Sequence, residues 1–208
     1  MAVVRTRLGA VAFLLVVVVA QGAQASTAFA SGTPLPCASR GSSAVFSRWD
    51  DPSDYFAMPN GGFESGSTEW SLSAGAEVVG GNEPYRIGAA TDALSLKIPA
   101  GASAESRTIC VTLGEPTVRF FVYNPRVVGA VLHVEAIVRD RLTGLVVNTA
   151  FDVSAGIAPA GWAPTPPILI PNFVGGILAE DFTLRVTTRG TPATWAIDDI
   201  YVDPFKSY

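Results

Sequence analysis

The chain has 208 residues, with 18 acidic against 14 basic side chains and a formal charge of −4. Lys97 and Lys206 are its only lysines and its arginines are scattered, which excludes the clustered cations that nucleic-acid phosphates need. Apolar residues make up 49% of the chain, enough for one well-filled core.

The first 25 residues read as a secretory signal peptide. Arg5 and Arg7 open it, Leu8 to Ala20 is an apolar run, and Ala23-Gln24-Ala25 supplies small residues for cleavage before Ser26. A second cleavage position follows Ala28-Phe29-Ala30. An apolar run of roughly 13 residues is short of the ~20 that a membrane-spanning helix needs. The residues left after cleavage carry 18 acids and 12 bases, because the leader holds two arginines and no acid. A secreted, mildly acidic domain is the expectation.

Residues 26–58 read as an irregular N-terminal arm, and 59–208 as a β-sandwich domain. Cys37 and Cys110 are the only cysteines, and an even count in an oxidising compartment predicts one disulfide, tying the arm to a strand around Thr108–Val111. Closing a loop of about 70 residues would contribute up to ~4 kcal/mol by restricting the unfolded chain. Trp49, Tyr55 and Phe56 cluster with Asp50, Asp51 and Asp54. That cluster suits either a contact surface or the packing of the arm onto the sandwich.

From there on, period-two alternation recurs between Gly, Pro and Asn breaks, the pattern of an all-β domain. Segments around Phe63 and Trp70 come first, followed by Gly75–Val79. Leu94–Ile98 alternates and stops at Pro99. Val118, Phe120 and Val122 share one face of Thr117–Tyr123; Leu132, Val134, Ala136 and Val138 share one face of Leu132–Arg139. Asp140–Gly144 reads as a hairpin turn into Leu145–Val153, and Ile168–Ile170, Phe182–Thr188 and Trp195–Val202 complete about ten short strands. A β-sandwich of jelly-roll type is expected, with Trp70 and Trp195 in its core.

Two segments bracket this domain: Pro59-Asn60-Gly61-Gly62-Phe63-Glu64-Ser65-Gly66 with Trp70 at its start, and Ile197-Asp198-Asp199-Ile200 at its end. Together they resemble the ends of galactose-binding-like jelly rolls, including carbohydrate-binding modules of families four, nine and twenty-two. Trp49-Asp50-x-x-x-Asp54-Tyr55 and the closing Tyr201-Val-Asp-Pro204 also resemble a group of secreted actinobacterial proteins. The resemblance implies that first and last strands meet, with a structural calcium ion at the junction. Glu64 and one of Asp198 and Asp199 would be its side-chain ligands, helped by carbonyls near Gly61, Gly62 and Ser65. Calcium takes 6–8 oxygen ligands, and adjacent aspartates at a core edge need a cation or hydrogen-bond donors to offset their repulsion. The other reading has these acids accepting backbone or arginine hydrogen bonds. Strand neighbours point to opposite faces, so only one of Asp198 and Asp199 faces inward unless a bulge intervenes.

Sugar sites combine aromatic platforms with a few polar groups. Glu83, Tyr85 and Arg86 on the Gly80–Arg86 loop, and Trp162 in a Pro/Gly-rich passage, are the ligand candidates; a Pro-turned corner with Tyr85 over the core, and Trp162 as a core lid, are the structural alternatives. His133 is the only histidine, no GxSxG or HExxH pattern occurs, and nothing pairs Glu135, Asp140, Asp152 and Glu180 as catalytic carboxylates. The expected function is therefore non-catalytic: a secreted module binding a glycan or cell-wall polysaccharide. A structural or protein-interaction sandwich is the alternative, and a polysaccharide hydrolase a weaker one.

Overall fold

The computed structural model describes residues 37–155, 160–173 and 179–204. The signal peptide and the first part of the arm lie outside the described residues. Residues 33–208 cluster as a compact unit of their own.

Two antiparallel sheets face each other. One has the order β10 (Gly161–Pro164), β7 (Thr117–Asn124), β13 (Trp195–Asp203), β4 (Leu94–Ile98) and β3 (Glu77–Gly80); β1 (Phe56–Ala57) joins β13, and β11 (Ile168–Leu169) joins β7. We refer to it as sheet 1. Sheet 2 runs β2 (Trp70–Ser73), β5 (Ser103–Ser106), β12 (Glu180–Gly190), β8 (Ala130–Asp140) and β9 (Val146–Ser154), with β6 (Ile109–Val111) added to β12. This is the expected all-β sandwich.

Alternation fills the space between the sheets. Val118, Phe120 and Val122 of β7 meet Leu132, Val134, Ala136 and Val138 of β8 and Phe182, Leu184 and Val186 of β12 in one buried cluster. Trp70 and Trp195 belong to it, as their flanking apolar residues predict. The segment around Phe63 departs from the expectation. Residues 59–69 form successive turns rather than a strand, because Asn60, Phe63 and Glu69 all adopt positive φ. The Phe63 ring is nonetheless fully buried, 5.1 Å from Trp70. Asn60 holds the turns together: its amide donates to the carbonyls of Gly66 and Thr68, and its side-chain oxygen accepts the Ser65 N–H.

The ends of the domain meet as expected. Phe56 and Ala57 pair with Val202 and Tyr201, Met58 N–H donates to Ile200 O at 2.9 Å, and Ile200 N–H donates to Gly61 O. A Cβ on Gly61 would lie 2.8 Å from the Ile200 carbonyl, so only glycine permits this approach. The Cys37–Cys110 disulfide is present and joins the arm to β6 across a Cα separation of 5.5 Å. Among the described residues no helix is long and apolar enough to cross a membrane.

Candidate functional site: the outer face of sheet 1

The outward positions of β7 are Thr117, Arg119, Phe121 and Tyr123. Arg119 and Phe121 are buried although they face away from the core, because the arm covers them. A one-turn 3-10 segment, Ser47–Trp49, and a bridge between Ser43 and Tyr55 shape the arm so that Phe46 enters this face. Phe46 is completely buried, stacked on Phe121 at 5.6 Å and meeting Tyr55 and Tyr201 edge-on. The packing reading of the Trp49–Phe56 cluster is the one the fold adopts, and the described part of the arm, residues 37–58, is more ordered than its composition suggests.

Arg119 locks the arrangement. Its guanidinium lies 4.3 Å from the Phe46 ring centre, donates to the Thr165 carbonyl and pairs with Asp51 at 2.5 Å. Burial disfavours the Asp51 carboxylate, but hydrogen bonds from Tyr55, Arg119 and Ser53 outweigh it and hold its pKa below the ordinary range. Burial first, and then the hydrogen bond to Asp51 and its charge, raises the Tyr55 phenol. Trp49, Asp50, Asp51, Ser53, Arg119 and Asp203 line a cleft of about 440 Å³ beside the arm, a size within the usual range for small-ligand pockets.

Tyr85 and Trp162, 77 residues apart, are brought together at the other end of this face, where the Tyr85 hydroxyl donates to the Trp162 carbonyl at 3.1 Å. Tyr85 also packs against Trp49 and Phe121, at 4.9 and 5.5 Å. Trp162 pairs directly with Tyr123 across β10 and β7, with ring centres 5.8 Å apart. Tyr123 is 42% exposed, so Tyr123, Trp162 and Tyr85 form a patch that solvent reaches. Tyr123, Trp49 and Arg119 were not among the predicted site residues. The available signal was that an alternating strand put Arg, Phe and Tyr on the face expected to meet water.

Glu83 and Arg86 behave differently from the expectation. Glu83 is 1% exposed, and its two carboxylate oxygens accept the N–H groups of Tyr85 and Ile87. It shapes the loop that carries Tyr85 and is not presented to a ligand. Arg86, with φ of 54°, points away and donates to the Ala90 carbonyl.

The two aspartates of the last strand are both buried, because a bulge shifts the β13 register between Asp198 and Tyr201 and gives Asp199 a φ of 48°. The bulge falls where β13 exchanges one neighbour, β4, for another, β1. Asp198 accepts N–H groups from Glu83 and Asp199, and Asp199 accepts that of Gly88. Burial, and then repulsion from Asp199 and Glu83, pushes Asp198 up to about 9; burial, with Glu83 and Asp92 adding to it, pushes Asp199 up to about 7. Among the described residues no arginine or lysine forms an ion pair with Glu83, Asp92, Asp198 or Asp199.

The Glu64–Asp198–Asp199 calcium set does not assemble. Glu64 is exposed and spends Oε1 on the N–H groups of Ala93 and Leu94. The described residues contain no group of three or more His, Cys, Asp or Glu side chains placed to hold a metal. Asp199 Oδ1 faces two glycines, and a Cβ on Gly62 or Gly88 would come within 3.1 or 2.8 Å of it.

No family model matches the chain, and no curated protein matches it. Solved structures do. A family 61 carbohydrate-binding module in complex with β-1,4-galactotriose aligns at 18% identity over 71% of this chain and 97% of that one, with a TM-score of 0.44. The C-terminal family 22 module of a Clostridium thermocellum xylanase aligns at 16% over 73% and 99%, with a TM-score of 0.41. An arabinose-bound family 51 α-L-arabinofuranosidase aligns at 13% identity; the match spans 71% of this chain but 26% of that enzyme, with a TM-score of 0.47. The sandwich described above rests on this chain's own strand pairing.

Proposed function

We propose that the protein is a secreted, non-catalytic binding module for a glycan or cell-wall polysaccharide, acting after removal of residues 1–25. The observation that carries this reading is the solvent-reached patch of Tyr123, Trp162 and Tyr85. Sugar rings stack on such surfaces, and nearby carbonyl and hydroxyl groups read their hydroxyls. The patch is held rigid by the Tyr85–Trp162 hydrogen bond and the loop that Glu83 braces, so little ordering entropy opposes binding. The family resemblance of the two end segments supports the same ligand class.

The test is retention of the purified protein on a panel of insoluble polysaccharides and cell walls, followed by calorimetry with oligosaccharides of any polymer that holds it. Tyr123→Ala and Trp162→Ala should each weaken binding by about tenfold or more. Tyr123→Ala should leave the melting temperature almost unchanged, because the residue is 42% exposed. Retention on none of the polymers overturns the glycan reading.

In this reading any calcium is structural, seated at Asp199 and Asp198 with carbonyl oxygens of the Gly61–Gly62 and Gly88 turns. Buried carboxylates without a cationic side chain are the donor chemistry a hard cation takes. Added calcium should raise the melting temperature at pH 8, and chelator should reverse it. No change with calcium would rule the ion out.

A further inference from the structure

We propose that β9 is an interface: it pairs antiparallel with the β9 of a second copy, joining two six-stranded sheets into one. The strands that end the two main strand orders differ sharply. β2, β3 and β10 are each four residues long, and the last carries Pro164, which cannot donate. β9 is nine residues long, Val146–Ser154, and reads Val-Val-Asn-Thr-Ala-Phe before its single charge, Asp152. Folded proteins normally blunt such an edge with Lys, Pro or a short length, since unpaired N–H and C=O groups recruit another strand. None of those devices is present in this strand.

The direction of its free groups follows from the ladder. Asp140 N–H donates to Leu145 O and Ala155 N–H donates to Ala130 O. In an antiparallel pair the hydrogen-bonded positions alternate, so the odd-numbered residues of β9 turn to β8. Val146, Asn148, Ala150 and Asp152 present both N–H and C=O outward, and all four are exposed.

Self-pairing fits the charges as well. In the register that sets Val146 opposite Asp152 of the second copy, Asn148 falls opposite Ala150 of that copy. About eight inter-strand hydrogen bonds form, and the two Asp152 side chains stand about 20 Å apart. Arg139 lies beside Val146 on β8, is exposed, and has no ion pair among the described residues. Two strand spacings, about 10 Å at the backbone, then separate it from Asp152 of the second copy, within reach of a long guanidinium side chain. The contact occurs twice about the two-fold axis, as an isologous interface requires.

Sedimentation velocity of the protein expressed as its whole chain, over a concentration series, should show a monomer–dimer equilibrium. Asn148→Pro removes an outward N–H and the exposed Asn148–Glu135 side-chain hydrogen bond, leaves the backbone ladder to β8 intact, and should weaken association by about tenfold or more. Hydrogen exchange on the unmutated protein guards against a folding defect. The amides of Val146, Asn148, Ala150 and Asp152 should be protected at concentrations where the dimer forms and exchange freely on dilution. A protein monomeric at every concentration overturns the proposal. So does a dimer in which these four amides exchange freely.

Discussion

The two outer faces of this sandwich are built on the same strand periodicity and end up in opposite states. Outside sheet 2, β8 and β12 put forward His133, Glu135, Arg139, Asp181, Thr183 and Arg185. Their polar groups pair across the face: Arg185 with Glu105 and Glu135, Arg141 with Asp181, and His133 Nδ1 lies 2.6 Å from Asp152. Outside sheet 1, β7 puts forward Arg119, Phe121 and Tyr123. There the arm descends, Phe46 is buried, and the ion pair under the arm, Arg119–Asp51, has side chains only 6% and 15% exposed, while Lys97–Glu77 at the far edge stays in solvent. Three residues on one strand decide the difference. An outward aromatic needs a cover or a ligand, and this face has a cover over Phe121 and an open patch at Tyr123.

The strongest way to break that contrast is Phe46→Ala. Removing a fully buried ring that touches Phe121, Tyr55, Trp49 and Tyr201 should cost about 3–5 kcal/mol. It would also leave Arg119 without the ring it lies over. Denaturant unfolding measures the loss. A cost below about 1 kcal/mol would mean that the arm is only draped on the sheet, and the two faces would then be alike.

Much of this was legible in the sequence, and the division has a physical basis. The inward residues of β7, β8 and β12 follow period two with little ambiguity, since a one-residue slip would expose every one of them. The disulfide and the meeting of the two end segments were also readable. What stayed hidden depends on single backbone angles or on distant pairing. Nothing local in Asp198-Asp199 announces a bulge that buries both. The strand Gly161–Pro164 is written in Gly and Pro, and it forms because β7 offers it an edge. At the site, Tyr85 and Trp162 were identifiable as aromatics on loops, but Tyr123 was read as a strand end and Glu83 as a ligand group. Glu83 is recognisable as a brace only once the Tyr85 and Ile87 N–H groups are seen to converge on it.

The two faces also differ in what balances their acids, and pH sharpens this. Acids outside sheet 2 meet arginine or histidine, whereas Asp198 and Asp199, which anchor the Tyr85 loop behind sheet 1, rely on N–H donors. Burial raises both, to about 9 and about 7. The folded chain then keeps protons that the unfolded chain has released, so the folded state binds more protons and stability falls as pH rises. The contribution is intact below the ordinary carboxylate value of about 3.9 and declines through the folded values near 7 and 9. Melting temperatures from pH 4 to 9, in chelator, should fall steadily. Asp199→Asn, which keeps an oxygen for Gly88, should flatten the slope. A melting temperature that rises over this range would show that the knot is ionised and balanced.

The smallest effect is expected on the open face. Arg185→Ala removes the guanidinium that links Glu105 and Glu135, yet its side chain and that of Glu105 are each 42% exposed. Water solvates the freed carboxylates, so the loss should stay within about 1 kcal/mol. It should shrink further at high salt, where exposed pairs are screened within about 3 Å at 1 M. The buried Arg119–Asp51 pair gives the opposite expectation: Arg119→Ala leaves Asp51 partly desolvated beside Tyr55 and should cost more, with little dependence on salt. Chemical denaturation in urea at two salt concentrations separates the cases. Equal costs, or equal salt dependence, would mean that the arm does not shield sheet 1 from water.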